Sequence, residues 1–265
     1  MRVACIGYGS IGKRHVENLL ALGCEVCVYD VGPVLMPDDC RFTLATRFSD
    51  VLHADAVVIA TPADTHLHYV EKAIKHGIPF FVEKPLGTLD QLPRWREIAA
   101  LDLPVNQVGY MLRFHPVALR MRAMFSEMDG GSFDISCDMS RWPGGAYASP
   151  LLECSHEIDL ALWFGAPDVV SHVHNGRSIT LGSWGVYVNA SASGYLREWH
   201  VYGGSQGYQC AFLSPEELGT EMYRWEMRDF LHCARTGQAP VCTLTDGLKV
   251  LEVCQQVEQM AQVTT

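Results

Sequence analysis

The first 110 residues alternate short apolar runs with amphipathic segments, and this alternation constrains the fold more than any other feature. The apolar runs are rich in β-branched residues, which predicts strands. These strands are expected at Val3–Ile6, Glu25–Tyr29, Ala56–Ala60, Pro79–Val82 and Val105–Val108. Helical periodicity lies between them at Ile11–Leu22, Thr65–His76 and Leu89–Ala100. This rhythm predicts an α/β domain, a doubly wound parallel sheet with helices on both faces.

The chain from about residue 115 has a different pattern, because several strand-like runs follow one another without helices between them. Helices are expected at Pro116–Glu127, Pro150–Phe164, Ser214–Arg235 and Thr245–Gln262. Strands are expected at Val169–His174, Trp184–Ser191, Tyr195–Tyr202 and Tyr208–Leu213. Sequential strands joined by short Gly/Ser turns favour antiparallel pairing. We therefore predict two domains, an α/β domain at 1–113 and an α+β domain at 114–265 whose last helix packs back on the first.

Charge and cysteine content narrow the possible partners of this chain. Among 265 residues, 20 are Lys or Arg and 30 are Asp or Glu, which gives a formal net charge of −10. An acidic surface repels nucleic acid and anionic lipid, so we expect neither as a partner. No apolar run approaches the roughly 20 residues that cross a membrane. The chain opens directly on a strand, and we interpret most of its ten cysteines as buried thiols in a reducing cytoplasm.

A glycine-rich turn between the first strand and the first helix is the clearest motif. The segment Gly7-Tyr8-Gly9-Ser10-Ile11-Gly12 matches G-x-G-x-x-G. In this context the first glycine allows the tight turn, the second lets backbone approach a pyrophosphate, and the third lets helix and strand pack closely. The exposed N–H groups and the helix dipole would hold the phosphates. The whole loop is therefore predicted to bind a dinucleotide, although a glycine turn without a ligand is the simpler alternative.

Asp30 ends the second strand, 18 positions after Gly12. A carboxylate at about this distance accepts hydrogen bonds from the hydroxyls of the adenosine ribose. It would also repel a 2′-phosphate, and no arginine follows it immediately. The sequence therefore predicts NAD rather than NADP.

Two further strand ends carry unusual residues, and ligands bind at the carboxyl ends of strands in doubly wound sheets. Thr61, Pro62 and His66 follow the strand Ala56–Ala60, and Glu83-Lys84-Pro85 follows the strand Pro79–Val82. Proline keeps the preceding Lys84 extended rather than helical, so its ammonium is expected to reach the crevice beside the nicotinamide. A nearby positive ring and partial burial would lower its pKa, which suits proton transfer. A surface Lys-Pro turn is the alternative.

Glu153, His156 and Asp159 are spaced three residues apart on a predicted helix, so neighbouring members lie on one flank. A carboxylate beside an imidazole orients the ring and stabilises its protonated form, as in acid–base catalysis. The same spacing also fits a core histidine, because His156, Leu160 and Trp163 form one stripe. The histidines His172, His174 and His232 show no ligand spacing, and we predict no metal site.

Several of these segments together resemble the glucose–fructose oxidoreductase / inositol dehydrogenase family (Gfo/Idh/MocA). The resembling segments are the Gly7–Gly12 loop, Ala60-Thr61-Pro62 with Thr65-His66, Glu83-Lys84-Pro85-Leu86, Val108 to Pro116, Leu151 to Leu160, and Pro240 to Met260. The resemblance implies an N-terminal Rossmann domain and a C-terminal domain with an open, mostly antiparallel sheet. It also implies a homodimer or homotetramer formed through that sheet. The stretch from Gly130 to Ser149 is shorter than is usual in the family.

The resemblance assigns roles to individual residues. It implies that Lys84 is catalytic and contacts cofactor and substrate, and that His156 is the acid or base at the reacting hydroxyl. Glu153 would replace an aspartate that many members have four residues before the histidine, where this chain has Leu152. Tyr110 and Arg113 become substrate contacts, beside Asp159. The 114–265 part is then the substrate-binding and oligomerisation domain, and Glu83 joins the cofactor-binding set.

These expectations combine into one functional hypothesis with alternatives left open. The chain is expected to transfer a hydride between NAD and a secondary alcohol or ketone of a sugar, cyclitol or nucleotide sugar. In this hypothesis one of Lys84 and His156 removes the hydroxyl proton while the other polarises the developing oxyanion. The alternatives are a non-catalytic NAD-binding sensor or partner subunit, a glycosidase that recycles tightly bound NAD, and a biliverdin-reductase-like enzyme.

Overall fold

Two compact units make up the described part of this computed structural model. The described residues are 1–35, 41–126, 131–138, 155–165, 170–174, 178–181, 186–191, 197–203, 207–213 and 221–263. The first unit comprises Met1–Met111 and Thr220–Gly247, and the second comprises Leu112–Gly219 and Leu248–Thr265. The chain thus leaves the first unit after Met111 and contributes to it again from Thr220. The division at residue 113 into cofactor and substrate domains stays a prediction.

A six-stranded parallel sheet forms the centre of the first unit. Its strands are β1 Arg2–Ile6, β2 Glu25–Tyr29, β3 Thr43–Leu44, β4 Ala56–Ile59, β5 Phe80–Glu83 and β6 Asn106–Gly109. They are arranged in the order β3-β2-β1-β4-β5-β6. The order reverses between β1 and β4, and crevices at such reversals are where doubly wound sheets bind ligands. The predicted parallel α/β sheet is confirmed, and the exposed two-residue β3 is an addition to it.

Helices alternate with these strands. They are α1 Ser10–Ala21, α2 Phe48–Val51, α3 Ala63–Lys75 and α4 Leu92–Ala99. The segment Thr220–Gly247, which we call the return segment, contributes α7 Glu221–Thr236. The predicted helix at Leu89–Ala100 begins as a 3₁₀ turn at Leu89–Gln91, at whose start Thr88 and Gln91 form a capping box. That tighter turn precedes α4, which has proline near its start.

The core explains why the return segment belongs to the first unit. Side chains of α1 and α7 pack together on one face of the sheet, where Val16 and Leu19 meet Met227, Phe230 and Leu231 in one buried cluster. The same cluster contains alternate strand residues such as Val3, Cys5, Val58 and Phe81. Because strand side chains alternate between faces, the intervening Ala4, Val57 and Phe80 lie on the other face, and they are buried as well.

The start of the last helix, α8 Leu244–Val263, lies against the edge strand β6. The N–H of Leu244 donates to Asn106 Oδ1 at 2.7 Å, and the N–H of Val108 donates to the carbonyl of Cys242 at 3.1 Å. A Cβ at Gly247 would lie 2.9 Å from Val108 Cγ2, so the absence of a side chain there permits the close approach. These contacts cover an edge that would otherwise be unpaired.

The second unit contains another six-stranded sheet together with α5 Pro116–Ser126 and α6 Ser155–Trp163. Its strands are β7 Gly131–Asp138, β8 Val170–His174, β9 Ser178–Leu181, β10 Val186–Ser191, β11 Arg197–Gly203 and β12 Gly207–Leu213. The order is β12-β11-β7-β10-β9-β8, and every pairing is antiparallel except that of β7 with β10. Four of these strands fall on predicted runs, whereas β7 and β9 were not predicted. The predicted starts Pro150 and Ser214 of two helices lie outside the described residues.

The described cysteine side chains agree with the expectation of reduced thiols. Six cysteines are free and buried, namely Cys5, Cys24, Cys27, Cys233, Cys242 and Cys254. Within the described ranges, no helix combines the length and apolarity that crossing a membrane requires.

Candidate functional site

The glycine loop joins β1 to α1 at the point where the sheet order reverses. Gly7 has φ +95°, and its N–H donates to the carbonyl of Tyr29 at 2.8 Å. A Cβ on Gly7 would lie 2.5 Å from the carbonyl oxygen of Ala60, and one on Gly12 would collide with the carbonyl oxygen of Gly7. Both positions therefore require glycine, because the loop packs directly on neighbouring backbone.

Gly9 is different, because a Cβ there would meet no described atom within 4 Å. Its backbone is extended, with φ −73° and ψ −165°, and it precedes the first turn of α1. No side chain caps that end of α1, and its first turn holds no acidic residue. No side-chain oxygen therefore competes for the N–H groups of this turn, and such N–H groups at a helix start donate to phosphate oxygens. The loop fits a dinucleotide pyrophosphate.

Asp30 is bonded to this loop through its own carboxylate. The N–H of Tyr8 donates to Asp30 Oδ2 at 2.7 Å, and the N–H of Gly32 donates to Oδ1 at 2.8 Å. Each carboxylate oxygen has capacity for another hydrogen bond, so ribose hydroxyls can still be accepted there. Asp30 therefore combines a local role, holding the loop next to β2, with the position that a ribose-binding carboxylate needs.

Cys5 lies beneath the same loop and is not available as a nucleophile. Burial, chiefly, and the charges of Asp30 and Glu83 raise the pKa of its thiol to about 12. Its sulfur lies 3.5 Å from the carbonyl oxygen of Gly7. A thiol of this kind stays protonated at neutral pH and acts as a small apolar side chain.

The segment after β4 contains Thr61, Pro62 and His66, and Thr61 Cγ2 would lie 3.1 Å from a Cβ on Gly7. Thr65 Oγ1 donates to the carbonyl of Pro62 at 2.7 Å and lies 2.8 Å from Thr61 Oγ1. His66 is only 1% exposed, so its ring acts inside the protein rather than at an open surface. Its Nε2 lies 2.8 Å from the carbonyl oxygen of Thr61, and its Nδ1 lies 3.0 Å from that of Pro85.

Glu83 and Lys84 end β5, and Pro85 follows through a cis peptide bond. The Glu83 carboxylate is 7% exposed and turned inward. Its Oε2 accepts the N–H of Lys84 at 3.0 Å, and its Oε1 lies 2.6 Å from His15 Nε2. Lys84 itself is half-buried. The acid of this motif therefore binds protein groups, whereas the lysine retains contact with solvent.

His15 is the residue in this region that sequence analysis missed. It lies on α1 at 0% exposure and packs edge-on against Phe81, with ring centroids 5.1 Å apart. Its position three residues after Gly12 predicts the buried face of α1. Its partner Glu83 is 68 residues away in sequence, and no local pattern identifies such a pair.

Two predicted residues of the second unit, Arg113 and Asp159, form a buried ion pair. Arg113 donates from Nη2 to Asp159 Oδ1 at 2.7 Å and from Nε to Oδ2 at 2.9 Å. Both side chains are almost fully buried, at 3% and 1% exposure. The guanidinium also lies 5.6 Å from the centre of the Trp163 ring. Asp159 therefore binds Arg113, which ties α6 to the 3₁₀ turn Met111–Phe114.

The remaining predicted site residues have the following positions. His156 lies in the first turn of α6 and is 5% exposed, and Tyr110 follows β6 in the first unit at 0% exposure. Glu153 lies outside the described residues. Within the described ranges, no three His, Cys, Asp or Glu side chains converge in a way that could hold a metal ion.

Comparisons with known proteins match this architecture. Residues 1–102 match the Gfo/Idh/MocA family model, which is described as an oxidoreductase family with an NAD-binding Rossmann fold. Inositol 2-dehydrogenase of Corynebacterium glutamicum is 29% identical over 64% of this chain and 56% of its own length. The NAD(+)-dependent scyllo-inositol 2-dehydrogenase of Bacillus subtilis is 27% identical over 96% of this chain and 92% of its own. The alignment with the Corynebacterium glutamicum enzyme thus covers just over half of that relative's length.

Solved structures show the same fold over the whole chain. The myo-inositol dehydrogenase of Corynebacterium glutamicum has a TM-score of 0.78 at 20% identity and covers 100% of this chain and 97% of its own. The scyllo-inositol dehydrogenase of Lactobacillus casei, solved with NAD(H) and scyllo-inositol, has a TM-score of 0.77 at 17% identity. Its alignment covers 98% of this chain and 96% of its own. At these identities the likeness shows a shared fold.

Proposed function

We propose that this chain is an NAD-dependent dehydrogenase acting on CH–OH groups, because residues 1–102 match the family model of the Gfo/Idh/MocA oxidoreductases, which is described as an NAD-binding Rossmann fold. The substrate class that we propose is a cyclitol or sugar with a secondary alcohol or the matching ketone. Relatives named as inositol dehydrogenases support this class. The observation on which the proposal depends is the convergence of the glycine loop, Asp30 and Lys84 at the carboxyl ends of one parallel sheet.

The residues of the first unit have distinct parts in holding the cofactor. The N–H groups after Gly9 would bind the pyrophosphate, and Asp30 would bind the ribose of the adenosine half. Thr61 lies next to the loop, and it and the following Pro62 would contact the dinucleotide. When bound, NAD supplies the acceptor or donor of the hydride.

Lys84 is the residue of the first unit that acts on the reacting oxygen of the substrate. A secondary alcohol loses a hydride from carbon and a proton from oxygen, so negative charge develops on that oxygen unless it is balanced. The ammonium of Lys84 donates a hydrogen bond to the oxygen as the charge develops, or its amine receives the hydroxyl proton. In the second unit, His156 and Glu153 are the candidate proton carriers.

Substituting Lys84→Ala tests the proposed reaction. We expect kcat for oxidation of an inositol or hexose to fall by about 10²–10⁴-fold, the usual effect of removing a group that transfers a proton. The Kd for NAD, measured by tryptophan fluorescence, should stay within a few-fold. Lys75→Ala, which changes an exposed lysine at the end of α3, is the matched control and should keep wild-type turnover.

Full turnover by the Lys84→Ala variant would show that the lysine does not act on the substrate. Tight NAD binding by the wild type, with no substrate oxidised across inositols, hexoses, sugar acids and nucleotide sugars, would favour a non-catalytic NAD-binding protein. NAD that stays bound through purification without net NADH release would favour internal recycling.

Substituting Asp30→Ala tests the cofactor. The variant loosens the glycine loop as well, because Asp30 also binds the N–H of Tyr8, so the informative quantity is the ratio of kcat/KM for NAD to that for NADP. That ratio should fall by at least about tenfold, since the repulsion of a 2′-phosphate disappears together with the ribose hydrogen bonds. A ratio unchanged from wild type would remove Asp30 as the basis of the preference.

We propose that, within the predicted 114–265 part, the residues of the second unit form the substrate-binding and oligomerisation domain. The second six-stranded sheet supports this assignment, because an open sheet has a second face that must be covered. A homodimer or homotetramer is therefore expected, and multi-angle light scattering that gives the mass of a single chain at micromolar concentration would contradict it.

A further inference from the structure

Two buried histidines contact the protein groups on either side of Lys84, although neither belongs to the chemistry proposed above. His15 comes from α1 and His66 from α3, and they are 0% and 1% exposed. Each contacts the lysine segment by one ring nitrogen. These contacts define the course of the backbone from which the Lys84 side chain extends.

His15 contacts the segment through Glu83. The Glu83 carboxylate only accepts hydrogen bonds, so His15 Nε2, 2.6 Å from Oε1, must be the donor. The other oxygen, Oε2, accepts the backbone N–H of Lys84 at 3.0 Å. His15 Nδ1 is buried and has no hydrogen-bond partner among the described atoms. The hydrogen bond to Glu83 therefore requires a proton on His15 Nε2.

His66 contacts the segment from the other side. Its Nδ1 lies 3.0 Å from the carbonyl oxygen of Pro85 and 3.3 Å from that of Leu86. Its Nε2 lies 2.8 Å from the carbonyl oxygen of Thr61. Carbonyl oxygens only accept, and burial lowers the pKa of His66, so the neutral ring donates from one nitrogen only. The nearness of Nδ1 to two carbonyl oxygens, those of Pro85 and Leu86, favours the Nδ1–H form, which binds the residues that follow β5.

From these contacts we propose that His15 and His66 are positioning residues for Lys84. His15 orients the Glu83 carboxylate, which in turn holds the backbone N–H of Lys84. His66 binds the backbone carbonyls of Pro85 and Leu86 and so holds the chain that follows Lys84. The proposal rests on the proposed function, in which Lys84 acts on the substrate. A displacement of about 1 Å at a reacting group costs on the order of 100-fold in rate, so fixing this backbone matters for turnover.

Asparagine and glutamine substitutions test the proposal because they keep different nitrogens of histidine. The glutamine amide nitrogen lies near the place of Nε2, and the asparagine amide nitrogen lies near that of Nδ1. His15 contacts Glu83 through Nε2, so His15→Gln keeps the donor and His15→Asn loses it. His66 contacts Pro85 through Nδ1, so His66→Asn keeps that donor and His66→Gln loses it.

The expected result is a crossed pattern. For substrate oxidation, kcat should stay within about threefold of wild type in His15→Gln and His66→Asn. It should fall on the order of 100-fold in His15→Asn and His66→Gln. The Kd for NAD should change little in all four variants, and the urea midpoint is measured for each. A purely structural role would make kcat follow the urea midpoint, and equal losses in the Gln and Asn variants at either position would overturn the proposal.

A second measurement does not depend on turnover and so separates this proposal from the proposed function. Backbone hydrogen exchange at Lys84 should accelerate by on the order of tenfold in His15→Asn and remain near wild type in His15→Gln, because the N–H bond to Glu83 loosens only in the former. Equal exchange in both variants would refute the role of His15. If the crossed exchange is seen while Lys84→Ala keeps full turnover, the positioning contacts stand and the proposed function fails.

Discussion

Gly9 and Gly12 lie in one motif but require glycine for different reasons. At Gly12 a side chain would occupy the place of the Gly7 carbonyl, so the constraint comes from the protein itself. At Gly9 the protein leaves open space, so a constraint there would come from a ligand. The motif alone predicts the turn, but only the structure separates these two contributions.

Alanine at each position measures that difference. Gly9→Ala should leave the free energy of unfolding within about 0.5 kcal/mol of wild type, because its Cβ meets no described atom within 4 Å. It should weaken NAD binding at least about tenfold, since the methyl group enters the space where the pyrophosphate would lie. Gly12→Ala should instead destabilise the fold by about 1–3 kcal/mol. Urea unfolding and fluorescence titration provide both quantities, and an unchanged NAD affinity in Gly9→Ala would contradict the assigned phosphate site.

The helix α6 illustrates what an element needs beyond its own sequence. Spacing correctly placed His156 and Asp159 on one helix, whereas Glu153 lies outside the described residues. The carboxylate of Asp159 was expected to serve the imidazole or the substrate. In the structure both of its oxygens accept hydrogen bonds from Arg113, 46 residues away. A long-range partner of this kind leaves no trace in helical periodicity, so the roles of these side chains could not be predicted from the spacing.

Removing one partner of this pair should be costly. Asp159→Ala leaves a buried guanidinium without its carboxylate, and we expect the free energy of unfolding to fall by about 3–5 kcal/mol. The double variant Arg113→Met with Asp159→Leu should lose less than either single variant, because no charge is then left unpaired. Circular dichroism during urea unfolding measures all three.

Exposed ion pairs of Arg94 in the first unit are the control for this experiment. Arg94 binds Glu71 and Glu97 in solvent, so Arg94→Ala should leave the urea midpoint almost unchanged. If Asp159→Ala shifted the midpoint no more than Arg94→Ala does, the Arg113–Asp159 pair would not be what fixes α6.

At the scale of the whole molecule, local pattern predicted the first unit well and the second unit less completely. The alternation of apolar runs with helical segments predicted five of the six strands of the parallel sheet, because each of these strands is a nearly continuous apolar run. The strand β7 was passed over, although Phe133, Ile135 and Cys137 alternate with polar residues along it. The strand β9 offers only Ile179 and Leu181 as an apolar signal. That α7 packs in the first unit depends on contacts between distant segments, which periodicity does not encode.

The contribution of α7 to the first unit can be measured directly. Phe230 is fully buried and its ring centroid lies 5.9 Å from that of Phe81 on β5. Phe230→Ala should therefore lower the free energy of unfolding by about 3–5 kcal/mol. The control Leu101→Ala removes an apolar side chain that is 53% exposed and should change it by no more than about 0.5 kcal/mol. Similar losses in the two variants would show that α7 adds little to this core.

The parallel pairing of β7 with β10 has a consequence for how the protein is made. β7 lies in the interior of its sheet, yet both of its neighbours, β10 and β11, are synthesised only after residue 185. During translation, β7 therefore leaves the ribosome with both of its edges unpaired. Neither edge can pair until α6, β8 and β9 have also been synthesised. Unpaired strand edges recruit other nascent chains, which makes this interval the period in which a chaperone would protect the protein most.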